Sequence, residues 1–153
     1  MLIREVGIIL GGLPLVYVNY HESSDKKIDE ASKGALICSI LQFAENVMRQ
    51  YLESFESSKF RMLFKRGKIQ MLGMSKESEI FAYIIINKDE VFTKKAKKHL
   101  NNLLEIILKE FIETYNGLDE SKISQFQDFK IFINKTLGSL TKTLEEKFTS
   151  LFS

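Results

Sequence analysis

Ile80-Phe81-Ala82-Tyr83-Ile84-Ile85-Ile86 reads as a strand, and its composition says where in a fold it lies. A strand with one wet face alternates apolar and polar residues. A nearly continuous apolar run is what a strand covered on both faces looks like. The run therefore predicts the middle of a sheet with helices on either side. Toward the N-terminus, Phe60-Arg61-Met62-Leu63-Phe64 reads as a strand and Lys65-Arg66-Gly67-Lys68 as a turn. Ile69-Gln70-Met71-Leu72-Gly73-Met74 then returns, and Ser75 to Ser78 forms a second turn. At the start of the chain, residues 2–10 are apolar and β-branched around Arg4 and Glu5. Gly11, Gly12 and Pro14 punctuate, and Leu15-Val16-Tyr17-Val18-Asn19-Tyr20 follows. Two strands about a glycine-containing turn make a hairpin.

The period changes between these strands. From Ile28, Leu36, Ile40, Phe43, Val47 and Tyr51 form one stripe at helical spacing. Ile37, Leu41, Ala44, Met48 and Leu52 form the stripe beside it. This predicts a long helix over 28–55 whose apolar arc is wider than the ~100° that one packed face requires. A second helix is expected over 91–116, with Leu100, Leu103, Leu104, Ile107, Leu108, Phe111 and Tyr115 buried and Asn116-Gly117 ending it. A third is expected over 121–137, with Ile123, Phe126, Phe129, Ile133 and Leu137 in line. Gly138-Ser139 breaks it, and Leu140, Leu144, Phe148 and Leu151 mark a short amphipathic tail helix. The division is thus a domain over 1–137 and a tail over 138–153. The order β-β-α-β-β-β-α-α, with tight turns between strands, gives an α+β fold on a five-stranded antiparallel sheet.

The chain of 153 residues is one domain's worth, and 44% hydrophobic with 27% charged residues is a globular balance that argues against disorder. Twelve Phe and no Trp point to a Phe-built core or an AT-rich genome. A net charge of +2 is too balanced for a dedicated nucleic-acid binder. The single cysteine, Cys38, excludes an internal disulfide and a multi-cysteine metal site and suits a reducing cytosol. No apolar run approaches the ~18 residues of a membrane span, and the N-terminal stretch reads as a strand rather than a signal peptide.

Motifs that carry chemistry are not found. Gly67-Lys68 lacks the upstream glycine and the hydroxyl residue of a phosphate loop, and neither a dinucleotide fingerprint nor a nucleophile elbow occurs. His21 and His99 have no partner at ligand spacing, so no metal or cofactor is expected. Cys38 lies on the apolar side of the long helix and reads as packing. The paired acids Asp89-Glu90 and Glu145-Glu146 suit helix ends or solvated faces. The expectation is a protein that is not an enzyme. Lys94, Lys95, Lys97 and Lys98 cluster in the first turns of the second helix, where the macrodipole disfavours cations. They form either a solvated face or a contact for an anionic membrane surface or an acidic partner. Lys65, Arg66 and Lys68 make a second, weaker basic patch. No aromatic residues interleave with the lysines of the main cluster, which argues against nucleic acid.

Several features together resemble a longin domain. They are the opening Val6-Gly7-Ile8-Ile9-Leu10-Gly11-Gly12-Leu13-Pro14-Leu15 hairpin, the long helix after a polar loop and the hairpin over 60–74. The strand 80–86, the helix ending Phe111-Ile112-Glu113-Thr114-Tyr115 and the segment around Phe126-Gln127-Asp128-Phe129 complete the pattern. The resemblance covers about residues 1–137 and rests on element order. The Lys-, Ile- and Phe-rich style is similar to that of archaeal longin-like proteins. The resemblance implies strand order 2-1-5-4-3, with one long helix on one face and two on the other. It also places strand 60–64 at a sheet edge and sets a partner-binding groove between that edge and the long helix. The chain departs from vesicle SNAREs, having no long heptad segment and no membrane anchor, so a membrane-fusion role is not expected.

The functional expectation is a non-catalytic interaction module acting as a trafficking-like scaffold or a small-GTPase-associated subunit. Its anchors would be Leu36, Ile40, Phe43, Val47, Met62 and Phe64, since one side of the wide helix must cover the sheet and the other meets something apolar. The partner would be a small GTPase, another longin or roadblock chain, or a second copy, giving a homodimer or heterodimer. The place would be the cytoplasm, alone or peripherally at a membrane surface. The alternatives are a small-molecule sensor with a profilin-like or PAS-like pocket and a small enzyme with an unrecognised site.

Overall fold

The computed structural model describes residues 3–10, 13–20, 36–40, 42, 54–56, 60–88, 92–119 and 123–138. Strands β1 (Ile3–Leu10), β2 (Leu13–Asn19), β3 (Ser54–Glu56), β4 (Phe60–Ile69) and β5 (Ser78–Asn87) form one antiparallel sheet in the order β2-β1-β5-β4-β3. Residues 36–40 and 42 are helical (α1). Helix α2 (Lys94–Tyr115) is followed by a 3₁₀ segment (Ile123–Asp128) that runs into α3 (Phe129–Leu137). The fold is therefore the expected α+β one, with its five strands in the expected order.

Alternate residues of β5 serve the two faces. Ile80, Ala82, Ile84 and Ile86 pack with α2 and α3, whereas Phe81, Tyr83 and Ile85 join Ile37 of α1 on the other side. That double coverage is why the strand carries almost no polar residue. On the α2 face, Leu100, Leu103, Leu104, Ile107, Leu108, Phe111 and Tyr115 are buried, as their spacing predicts. Phe111 anchors an aromatic stack, with ring centroids 4.7 Å from Tyr115, 5.5 Å from Phe126 and 5.1 Å from Phe129. The Thr93 hydroxyl caps α2 by accepting the Ala96 N–H at 3.1 Å. The one proline, Pro14, sits on the edge strand β2, where the pairing register slips against β1 and a missing N–H is tolerated.

Two boundaries differ from the sequence reading. The expected turn at Lys65–Lys68 does not exist. Residues 60–69 are one strand, paired with β5 from Phe60↔Asn87 to Ile69↔Ser78. Gly67 is not a turn glycine but a close-approach one: a Cβ there would lie 2.9 Å from Ile112 Cδ1 and 3.2 Å from Leu108 Cδ2, because α2 crosses directly over it. The chain reverses later, where the Met74 N–H donates to the Met71 carbonyl and Gly73 takes a φ of +91°.

The outermost strand is also a different segment. β3 comes from Ser54–Glu56, at the end of the stretch assigned to the long helix, and among the described residues it pairs with β4 at Arg61, Met62 and Leu63. Strand 60–64 is thus part of the penultimate strand. The expected third helix divides into the 3₁₀ segment and α3, with Phe126, Phe129, Ile133 and Leu137 buried. Beyond Gly138 the tail expected over 138–153 lies outside the described residues, as does most of the helix expected over 28–55.

Candidate interaction surface

Of the apolar residues expected to anchor a partner, Leu36 and Ile40 lie on α1, and Met62 and Phe64 pack on the sheet face beneath it. Ile37 turns inward and is 2% exposed, packing with Ile9, Phe64, Phe81 and Tyr83. Leu36, about a quarter-turn away, is 58% exposed. Ile40 is half-buried, and Ser39 and Gln42 face solvent. The outermost part of α1 is therefore polar, and the Leu36–Ile40 stripe lies on its flank. Phe43 and Val47 lie outside the described residues.

The two strand residues of the expected set occupy different positions. Met62 is half-buried against the same cluster as Ile37. Phe64 is 4% exposed and belongs to that cluster, so it supports the surface from beneath and offers none itself. Phe55, which the sequence reading placed at a helix end, pairs directly with Met62 across β3 and β4 and is 37% exposed. Residues paired across an antiparallel ladder project from the same face. Phe55 and Met62 thus make an apolar step at the sheet edge on the α1 side. The signal that could have revealed Phe55 is slight, because three residues are too few to show a period of two.

Beneath α1 a polar group is built into the core. The Glu5 carboxylate is 3% exposed. Its Oε2 accepts from the Tyr83 hydroxyl at 2.7 Å and its Oε1 from Asn19 Nδ2 at 3.2 Å. The Tyr83 ring lies flat over Gly7, where a Cβ would come within 2.5 Å of the phenolic oxygen. Three strands are tied together by this arrangement, β1 through Glu5, β2 through Asn19 and β5 through Tyr83. Glu5 and Gly7 interrupt an apolar strand two residues apart, on one face of it, and that interruption was the legible sign.

Cys38 is half-buried on α1. Burial pushes its thiol up, and the negative charge of Glu79 adds to the shift. Both effects disfavour the thiolate that a nucleophile needs. Arg66 pairs with Glu79, and its guanidinium carbon lies 5.6 Å from the Phe81 ring centroid, so this cation lies along the sheet instead of at a hairpin tip. Among the described residues no group of three His, Cys, Asp or Glu side chains is arranged to hold a metal ion. Among them, too, no helix is long and apolar enough to cross a membrane.

The lysine cluster lies at the start of α2. Lys94, Lys95 and Lys98 are exposed and Lys97 is half-buried, all within the first two turns of α2. They share an end of the sheet with Arg61, whose guanidinium carbon lies 4.4 Å from the Phe92 ring centroid. Arg61 Nε donates to Glu56 at 2.6 Å, and Lys88 reaches the same carboxylate at 3.6 Å. The Arg61 hydrogen bond leads in holding the Glu56 carboxyl below the usual carboxylate range, and the two positive charges assist. The chain matches no protein-family model and no curated protein.

Proposed function

We propose that the protein is a non-catalytic, longin-type interaction module, acting as a trafficking-like scaffold or as a subunit associated with a small GTPase. The observation that carries the reading is the pairing of an exposed apolar flank on α1, at Leu36, with an apolar sheet edge on the same side, at Phe55 and Met62. Exposed apolar groups at a helix and a neighbouring strand edge suit a partner that lays down a helix or adds a strand. The strand order and the placing of helices on both faces support the longin comparison, although fold likeness alone does not assign function. The raised Cys38 thiol supports a role without covalent catalysis. The proposed partner is a small GTPase, a longin or roadblock chain, or a second copy, and the proposed location is cytoplasmic or peripheral to a membrane.

The test pairs light scattering of the full chain with affinity capture in GDP and in a non-hydrolysable GTP analogue. Leu36→Asp and Phe55→Asp serve as the variants, with circular dichroism to show that they fold. A dimer, or a GTPase held in one nucleotide state, that is lost in both variants supports the reading. Unchanged assembly and capture in folded variants overturns it.

A further inference from the structure

The charges along α2 run the wrong way for a helix. Its first turn contains no acid and its last turn no base. Lys94, Lys95, Lys97 and Lys98 crowd the end where the macrodipole is positive, while Glu105, Glu110 and Glu113 occupy the later turns with Lys109 as their one basic neighbour. This order opposes the dipole at the N-terminal end. The four lysines also repel one another at spacings of three and four residues, which places like charges side by side. Helix stability is therefore not what this cluster serves.

Its surroundings reinforce the charge. Arg4, Arg61 and Lys88 lie at the same end of the sheet, since Phe60 pairs with Asn87, Ile3 with Ile86, and Arg4 donates to Asn87. Two described acids lie at this end: Glu56 is already shared by Arg61 and Lys88, and Glu5, which pairs with Ile85, is buried beneath the surface at 3% exposure. Arg61 Nη1 stays buried with no hydrogen-bond acceptor among the described residues. Counting the whole stretch 88–98 from the sequence, five lysines stand against Asp89 and Glu90, a net charge of 5 − 2 = +3. Among the described residues none of the four helix lysines forms an ion pair.

We infer that this end of the molecule docks electrostatically on an anionic lipid bilayer. Charge complementarity selects the occupant. At 100° per residue, Lys97, Lys94, Lys98 and Lys95 fan over an arc of about 160°, a spread suited to a charged plane rather than to one groove. The four are lysines, hydrated point charges on long flexible stems, and not the planar forks that read a particular carboxylate or phosphate geometry. A cluster of this size beside anionic headgroups gains affinity with each added lysine, and loses it as salt screens the field. The inference is independent of the protein-binding role proposed for the α1 side, because the two surfaces share no residue.

The experiment is sedimentation of the full chain with phosphatidylcholine vesicles, with and without phosphatidylserine, across a salt series. The chain is expected to sediment only with the phosphatidylserine vesicles and to release as salt rises. Changing Lys94, Lys95, Lys97 and Lys98 to Gln should lower the partition coefficient by at least about tenfold. Changing the exposed Lys68, Lys76, Lys109 and Lys135 to Gln removes the same charge elsewhere and should leave most of the binding. A structural readout separates function from folding. Lys94→Glu with Lys95→Glu should raise the thermal midpoint, by supplying the missing first-turn acids, while abolishing sedimentation. Equal sedimentation with neutral vesicles overturns the inference, as does equal binding by the first quadruple variant. An equal loss in the two quadruple variants overturns it too, by showing that only net charge counts. Binding of polyglutamate without binding of vesicles overturns it in favour of an acidic protein partner.

Discussion

The face of the sheet beneath α2 and α3 and the face beneath α1 are made by the same strands, yet they are held together differently. On the first, aliphatic residues of β1, β4 and β5 meet a stack of aromatic rings, and among the described residues its polar groups are two tyrosine hydroxyls, that of Tyr115 donating to the Gln125 carbonyl and that of the half-buried Tyr20 donating to Asn134. On the second, the strands present Glu5, Gly7 and Tyr83 among the apolar groups, and α1 adds a flank that stays exposed at Leu36. Apolar contact is non-directional, so the first face supplies stability that tolerates small shifts. A buried carboxylate with fitted donors is demanding, so the second face has its geometry set by a few positions. The partner-binding surface proposed for this side would gain from a base of that second kind.

The largest expected effect falls on the apolar face. Phe111 is fully buried and touches three rings. Phe111→Ala should lower the unfolding free energy by about 3–5 kcal/mol in urea titrations. A loss below about 1 kcal/mol would mean that the stack is not the main support of that face.

Next comes the α1 face, where the response should depend on shape. Gly7→Ala puts a methyl group into the Tyr83 ring and should cost about 1–3 kcal/mol. Tyr83→Phe removes the hydroxyl that donates to Glu5 and should cost about 1–2 kcal/mol. The two changes act on one contact, so the double variant should lose less than the sum of the singles. Strict additivity would show that Gly7, Tyr83 and Glu5 do not act as a unit. Smaller again is the N-cap of α2, for which Thr93→Ala should cost about 1 kcal/mol by the same titration.

The last test compares titratable groups at the two faces. Tyr20 packs against the α2–α3 face and donates to Asn134, and burial pushes its hydroxyl up to about 12 from 10.0. The fold therefore holds the neutral phenol more tightly than the unfolded chain does. The associated stability is complete below pH 10.0 and is lost as the pH climbs through about 12. Tyr20→Phe should flatten that alkaline decline in unfolding titrations, and an unchanged decline would assign it to other groups. On the α1 face, Cys38 should react with iodoacetamide more slowly than a free thiol at neutral pH. Glu79→Gln should speed the reaction by removing one of the two causes of its raised thiol.

Much of the fold could be read from periodicity. The buried positions of α2 follow a 3.6-residue repeat, and each predicted one is buried. The central place of β5 follows from its apolar run. What could not be read depends on neighbours distant in sequence. Gly67 looks like a turn because glycine between basic residues usually is one, and only the passage of Leu108 and Ile112 over it explains its use in a strand. The shortness of β3 hides it behind the helical pattern that precedes it. Of the apolar residues expected to face outward, Leu36 is exposed and Met62 half-buried, whereas Phe64 is interior and Phe55 takes the edge position, because the edge belongs to β3.

By itself the sequence determined which residues avoid water and with what period, and hence the elements, the antiparallel sheet and a helix on each side. Those properties follow from the side chains and the local backbone, which travel with the residue. The tertiary structure decided which segment closes the sheet, which glycine serves close approach and which serves a turn, and where a buried carboxylate finds its donors. It also brought Arg4, Arg61 and Lys88 to the lysine-rich end of α2. These outcomes depend on pairs of groups up to 83 residues apart, whose meeting is fixed by packing and register.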